Sequence, residues 1–278
     1  MATDDAHSSR PAATPGPGAG EVQVLGDSGP AVLLLPGGAE TCDGFFPGLV
    51  EGLIADPGCR VIVHDRPGTG RSMVDGDLAG ASAHLHALIA ELGLGPVVVV
   101  GQSLGGAVAV LLARDHPEDL AGLVLLDASP INDPASCRQM ARTIGPLGAF
   151  ARLPVAGKLA SAGFRALGRK QMREVALRPD CAAAMERTLE ADMVQLAKAA
   201  GGIDTLAANL HESDLPRLPS VVVTADRPPG SAVRKAHERL AGAFGGELRS
   251  WPGATHSVHL DHPDEVLETV REVVRQVG

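Results

Sequence analysis

The chain has 278 residues, 45% of them hydrophobic and 21% charged, which excludes a disordered protein and provides enough length to bury a sizeable core, as one α/β domain or a core with an insertion. A formal charge of −9 argues against nucleic acid as the main partner, because a duplex binder needs a net basic face to displace counterions. No run approaches the roughly 18 apolar residues of a membrane span; the first twenty residues lack an apolar signal core; and Cys42, Cys59, Cys137 and Cys181 stand apart without a CxxC pair, so the expectation is a cytoplasmic protein with reduced thiols and no stable membrane insertion.

Residues 1–20 are rich in Pro, Ala, Gly and Ser and are expected to form a disordered tail. Short β-branched or Leu-rich runs follow: EVQVL (21–25), AVLLL (31–35), RVIVH (60–64), VVVV (97–100), GLVLL (122–126) and SVVVT (220–224). Each is bounded by Gly, Pro or Asp, as in strands buried on both faces of a parallel sheet. Helical patterns fall between them at 81–94, 107–120, 231–244 and 264–277. Alternation of strand and helix predicts a mostly parallel, doubly wound α/β sheet. About ninety residues between Asp127 and Ser220 break the rhythm with helical patterns and no strand. A structureless loop of that length is improbable, so the segment is read as a helical cap over the carboxyl edge of the sheet, where such folds bind ligands. The division is therefore a tail at 1–20, a core at 21–129 and 216–278, and a cap at 130–215.

The run VVVVGQSLGG places Ser103 where a strand turns into a helix. A hydroxyl is a poor nucleophile unless something presents it and something takes its proton. In a G-x-S-x-G elbow the serine occupies a strained turn, and glycines two residues to either side leave room for it. The following helix aims its N-terminus and the Leu104 N–H at any oxyanion formed there. A dinucleotide-binding turn is disfavoured, because Ser103 stands where that motif needs its second glycine.

From about residue 21 to the end the chain resembles the α/β-hydrolase superfamily, through GQSLGG, LLLPGG (33–38), HDRPGTGRS (64–72), GLVLLDASP (122–130) and GATHSVHLDHPDEV (253–266). The resemblance is greatest to capped esterase, lactonase and thioesterase-like members. It implies Ser103 as nucleophile, His256 as base, and an oxyanion donor in the loop after LLL. Pro36 has no N–H to give, so that donor is read as Gly38, or else Ala39, paired with Leu104. Two aspartates at strand ends compete for the triad acid. Asp226 follows the strand most relatives use, in an imperfect register whose acid place is taken by Arg227. Asp127 ends the preceding strand, where a minority of the superfamily carries its acid; the reading leans to Asp127 with Asp226 as the alternative.

His84, His86, His116 and His7 read as ordinary structure, and His259 and His262 beside His256 lack the carboxylates expected of a metal site, so neither metal nor other cofactor is implied. Phe45, Phe46 and Gln102 are read as pocket residues, with the core as an equal reading of the two phenylalanines. Between Arg138 and Arg173 lie eight basic residues and no acidic ones, interleaved with Leu147, Phe150, Leu153, Leu159, Phe164 and Leu167. A solvated helix face is the simple reading; the sharper one is a lid that attracts an anionic or carrier-bound acyl substrate. The expected activity is hydrolysis of a carboxylic ester, lactone or thioester, with acyl transfer, carbon–carbon hydrolysis, or a non-hydrolytic receptor or cyclase use as alternatives. The oligomeric state is not legible.

Overall fold

A computed structural model describes residues 22–151, 177–190 and 192–278. The expected tail at 1–20 lies outside the described residues, as do Arg152, Lys158, Arg165, Arg169, Lys170 and Arg173 of the basic stretch.

Seven strands form one sheet: β1 (Gln23–Leu25), β2 (Ala31–Leu35), β3 (Arg60–Val63), β4 (Val97–Gln102), β5 (Leu120–Leu126), β6 (Ser220–Val223) and β7 (Glu247–Arg249). Their order is β1-β3-β2-β4-β5-β6-β7, with β1 antiparallel to β3 and the pairs from β3 to β7 parallel. The expected mostly parallel α/β sheet is therefore present. Apolar runs without polar alternation work here because both faces are covered. Leu33, Leu35, Val97 and Val99 pack into one core cluster, while Val32, Leu34, Val98 and Val100 pack into the other.

Helices flank the sheet: α1 (Leu49–Ala55), α2 (Ala81–Leu92), α3 (Ser103–Asp115), α4 (Pro134–Ala151), α5 (Pro179–Leu189), α6 (Met193–Ala199), α7 (Ile203–Ala208), α8 (Ala232–Phe244), α9 (Val258–Asp261) and α10 (Pro263–Val277). Two expectations shift. The helix placed at 107–120 begins at Ser103 and ends at Asp115, because Pro117 cannot continue it and Leu120 already pairs with Val97 in the sheet. The short β7 escaped the sequence reading, since ELR carries no apolar run and gains its order from pairing with β6.

Helices α4 to α7 lie between β5 and β6. In α4 the spacing Cys137, Met140, Ala141, Ile144 puts apolar groups on one stripe against the core, while Arg138 and Arg142 are exposed on the other. No helix among the described residues is long and apolar enough to cross a membrane.

Candidate active site

The elbow is assembled by close packing of glycine. β4 ends at Gln102, and Ser103 then adopts φ 49° as the first residue of α3. A Cβ on Gly105 would collide with the carbonyl oxygens of Leu35 and Pro36, and one on Gly37 with the Gln102 side chain. Backbone can thus approach backbone where bulkier residues would force the serine out of place. Among the described residues only Ser103 and Asp127, the latter at φ 42°, are non-glycine residues with positive φ. Each such residue costs on the order of 1–3 kcal/mol, and such strain concentrates at functional sites.

Ser103, His256 and Asp127 form one hydrogen-bonded chain. The Ser103 hydroxyl donates to His256 Nε2 at 2.8 Å, and His256 Nδ1–H donates to Asp127 Oδ2 at 2.6 Å. An ionised carboxylate only accepts, so this contact fixes the tautomer that leaves Nε2 free to receive the serine proton. Asp127 is 1% exposed. Burial by itself would raise its pKa, but hydrogen bonds from His256, Arg227 and the Ala225 amide hold it well below the usual carboxylate range.

The backbone around the chain is pinned from several elements. Ser129 N–H donates to Ser103 O at 2.8 Å, tying the loop after β5 to the elbow. Gln102 Nε2 donates to His256 O at 2.8 Å, and Thr255 N–H and Oγ1 donate to Asp261 Oδ2 at 2.7 and 2.6 Å. Asp226 takes a different position from Asp127. It is exposed, and its Oδ2 accepts from Gly253 N–H at 2.9 Å, bracing the loop before His256.

This chain opens onto a cavity of about 360 Å³ whose lining includes Gly37, Gly38, Ala39, Gln102, Ser103 and Leu104 together with the apolar Met140, Ile144, Met193, Leu196 and Val233. Leu104 is the second residue of α3, so no helical carbonyl lies in reach of its amide. Gly38 sits in the facing loop with φ 54°. Both Phe45 and Phe46 are buried in the core cluster under β2 and β3, edge-on at 4.8 Å, and of the two Phe45 lines this cavity. Gln102 lines the cavity while also holding the histidine loop.

Glu40 and His237 had no usable sequence signal, and the roles of His259 and Arg227 were not legible from theirs. Glu40 lines the cavity with its carboxyl pushed up to about 7 by burial, against the opposing pull of Arg187. His259 stacks on Phe45 at 4.5 Å, and burial, then the nearby His256, push it down to about 3. His237 accepts from Thr224 Oγ1 at 2.9 Å and donates to Ala128 O at 2.8 Å, supporting the loop beyond Asp127. Arg227 grips Asp127.

Among the described residues one group, His86, His116 and Glu118, brings three potential metal-ligand atoms within 4.8 Å. Its two imidazoles stack at 4.0 Å and 9°, which keeps their lone pairs in parallel planes instead of aiming both at one ion, and none of the three lines the cavity.

Residues 32–269 match the alpha/beta hydrolase family, and the chain belongs to that family. It is an enzyme of the α/β-hydrolase type. It is 28% identical over 260 residues to the sn-1-specific diacylglycerol lipase ABHD11 of Mus musculus, covering 87% of this chain and 80% of that one. Lipase LipV of Mycobacterium tuberculosis is 37% identical over 125 residues, 43% of this chain and 45% of the lipase. MenH from S. aureus superposes with a TM-score of 0.72 at 14% identity, covering 92% of this chain and 98% of its own. A thermophilic esterase from Thermogutta terrifontis superposes with a TM-score of 0.67 at 23% identity, over 92% and 93% of the two chains. These structural likenesses show the shared fold.

Proposed function

We propose that this enzyme hydrolyses a carboxylic ester, lactone or thioester with an aliphatic acyl group, through an acyl-enzyme on Ser103. The observation that carries the reading is the chain from Ser103 Oγ through His256 to Asp127, set at the edge of a cavity whose lining includes the apolar Met140, Ile144, Met193 and Leu196. The lipase names of two relatives support the ester class.

His256 Nε2 takes the Ser103 proton as Oγ attacks the carbonyl, and the imidazolium is stabilised by Asp127, which stays ionised. The Leu104 and Gly38 amides are the proposed donors to the developing oxyanion, with the positive end of α3 adding to them. His256 then protonates the leaving group, and water activated by the same nitrogen clears the acyl-enzyme. A helical cap made by α4 to α7 is the proposed lid and supplies the apolar wall. Arg138 and Arg142 are exposed on its outer face, which supports steering of an anionic acyl donor.

The test is intact-mass detection of a fluorophosphonate adduct on the wild type and on Ser103→Ala, beside turnover of p-nitrophenyl esters of increasing chain length. One adduct that disappears with Ser103, together with turnover, supports the reading. A labelled but non-hydrolysing protein favours acyl transfer, and neither label nor turnover overturns it.

A further inference from the structure

Asp127 is held by more than the histidine it faces. Arg227, in the loop after β6, places Nη1 on Asp127 Oδ1 and Nη2 on Oδ2 at 2.6 Å, a two-pronged grip on a carboxylate that is 1% exposed. Ala225 N–H adds a third donor to Oδ1 at 2.9 Å, from the same loop. The Arg227 backbone is anchored in turn, since its carbonyl accepts from Arg234 Nη1 of α8 at 3.2 Å. Its side chain is three-quarters buried and lines the cavity beside His256 and Ser103.

We propose that Arg227 is a positioning residue that clamps the Asp127 carboxylate in the plane of the His256 ring and tempers its charge. This rests on Ser103, His256 and Asp127 acting as a triad. A guanidinium fork matches both oxygens of a carboxylate at once, so it fixes the plane in which Oδ2 is offered to Nδ1–H. The same cation offsets the carboxylate's negative charge. A less negative partner favours the imidazolium less, so removing the cation should favour it more.

Of the other groups around the histidine, the two buried imidazoles carry no competing charge through this range. His259 is held neutral by burial, and His237 is lowered by burial and engaged by Thr224 and Ala128. Gln102 meets only the His256 carbonyl. Asp226 and Asp261 are turned to backbone amides of the histidine loop, at Gly253 and Thr255. Glu40, across the cavity, has its carboxyl pushed up to about 7 by burial and does titrate in the working range, so it needs a control.

The test compares wild type with Arg227→Met and Arg227→Lys, each checked for a cooperative thermal transition. Two readouts are taken from about pH 5 to about pH 9: kcat/KM for p-nitrophenyl butyrate, and the NMR titration of the low-field imidazole proton that disappears in Asp127→Asn. Arg227→Met is expected to lose roughly 10- to 100-fold in kcat with KM changed less than about threefold. Its acid limb and NMR midpoint should both move to higher pH, because the carboxylate's full charge then favours the imidazolium. Arg227→Lys should restore the limb but recover kcat only in part, because an ammonium cannot grip both oxygens. Glu40→Gln should leave the NMR midpoint in place. If the limb and midpoint stay unmoved in Arg227→Met, the clamp is overturned and Arg227 is a structural ion pair. Should Arg227→Met fail to fold, Arg227→Gln carries the same readouts. Wild type without turnover or Ser103 labelling sinks the hydrolase reading instead, while the NMR midpoint still decides the clamp.

Discussion

Ser103 and Asp127 share a conformation that L-residues avoid, and they lie at the ends of neighbouring strands β4 and β5. Such backbone persists only where the surroundings over-determine it, and both positions are braced by backbone hydrogen bonds, Ser129 N–H to Ser103 O and Asp127 N–H to Val223 O, each 2.8 Å. That shared strain, with the 2.6 Å contact to His256, separates Asp127 from the exposed Asp226. Asp127→Asn is expected to lower kcat by ~10⁴-fold through the wrong tautomer, while Asp226→Asn stays within about tenfold of wild type. Steady-state kinetics of the two variants on one ester checks this, and a larger loss at Asp226 would refute the assignment.

At the scale of elements, the site depends on how tightly the loop after β2 meets the N-terminus of α3. Gly105→Ala is expected to destabilise the fold by about 1–3 kcal/mol and to cut Ser103 labelling, because the new methyl meets the Leu35 and Pro36 carbonyls, which cannot rotate away. Urea denaturation and fluorophosphonate labelling rates measure the two effects. Apolar lining of the cavity comes from α4 and α6, through Met140, Ile144, Met193 and Leu196. Ile144→Trp should shorten the acyl chain accepted: octanoate turnover should fall at least about tenfold relative to acetate, from lost room for apolar burial. Equal losses on both esters would mean that this lining does not face the acyl chain.

The whole molecule couples its stability to pH through histidines buried without charge. Burial pushes His64 down to about 4 and His259 down to about 3, from an ordinary value near 6.5. The unfolded chain therefore takes up protons first as pH falls. The stability these rings contribute is complete above about pH 6.5 and is lost progressively down to their folded values. In that window each costs about 1.4 kcal/mol per pH unit. His259→Phe, which keeps an aromatic ring against Phe45, should flatten the fall by ~2–3 kcal/mol between pH 7 and pH 4.5 in urea denaturation. An unchanged slope would show that His259 is protonated in the fold.

The fold class was legible because parallel strands buried on both faces must be apolar throughout, and five of the six expected runs sit in the interior of the sheet. The G-Q-S-L-G turn was equally legible, since its glycines answer a local steric demand. Short β7 and helix α1 were not, because their order comes from neighbours distant in sequence. Phe46 read like Phe45, yet the side of the loop on which each ring falls is set by packing over β2 and β3.

What the sequence determined by itself was the local grammar: which runs bury both faces, where the chain turns, and which serine stands at the tightest turn. What only the tertiary structure decided was partnership. Asp127 and His256 are 129 positions apart, and Asp127 and Arg227 are 100 apart. Hydrogen bonds across such distances leave no periodicity in the chain, because the sheet order and the loops at its carboxyl edge alone bring those groups within reach.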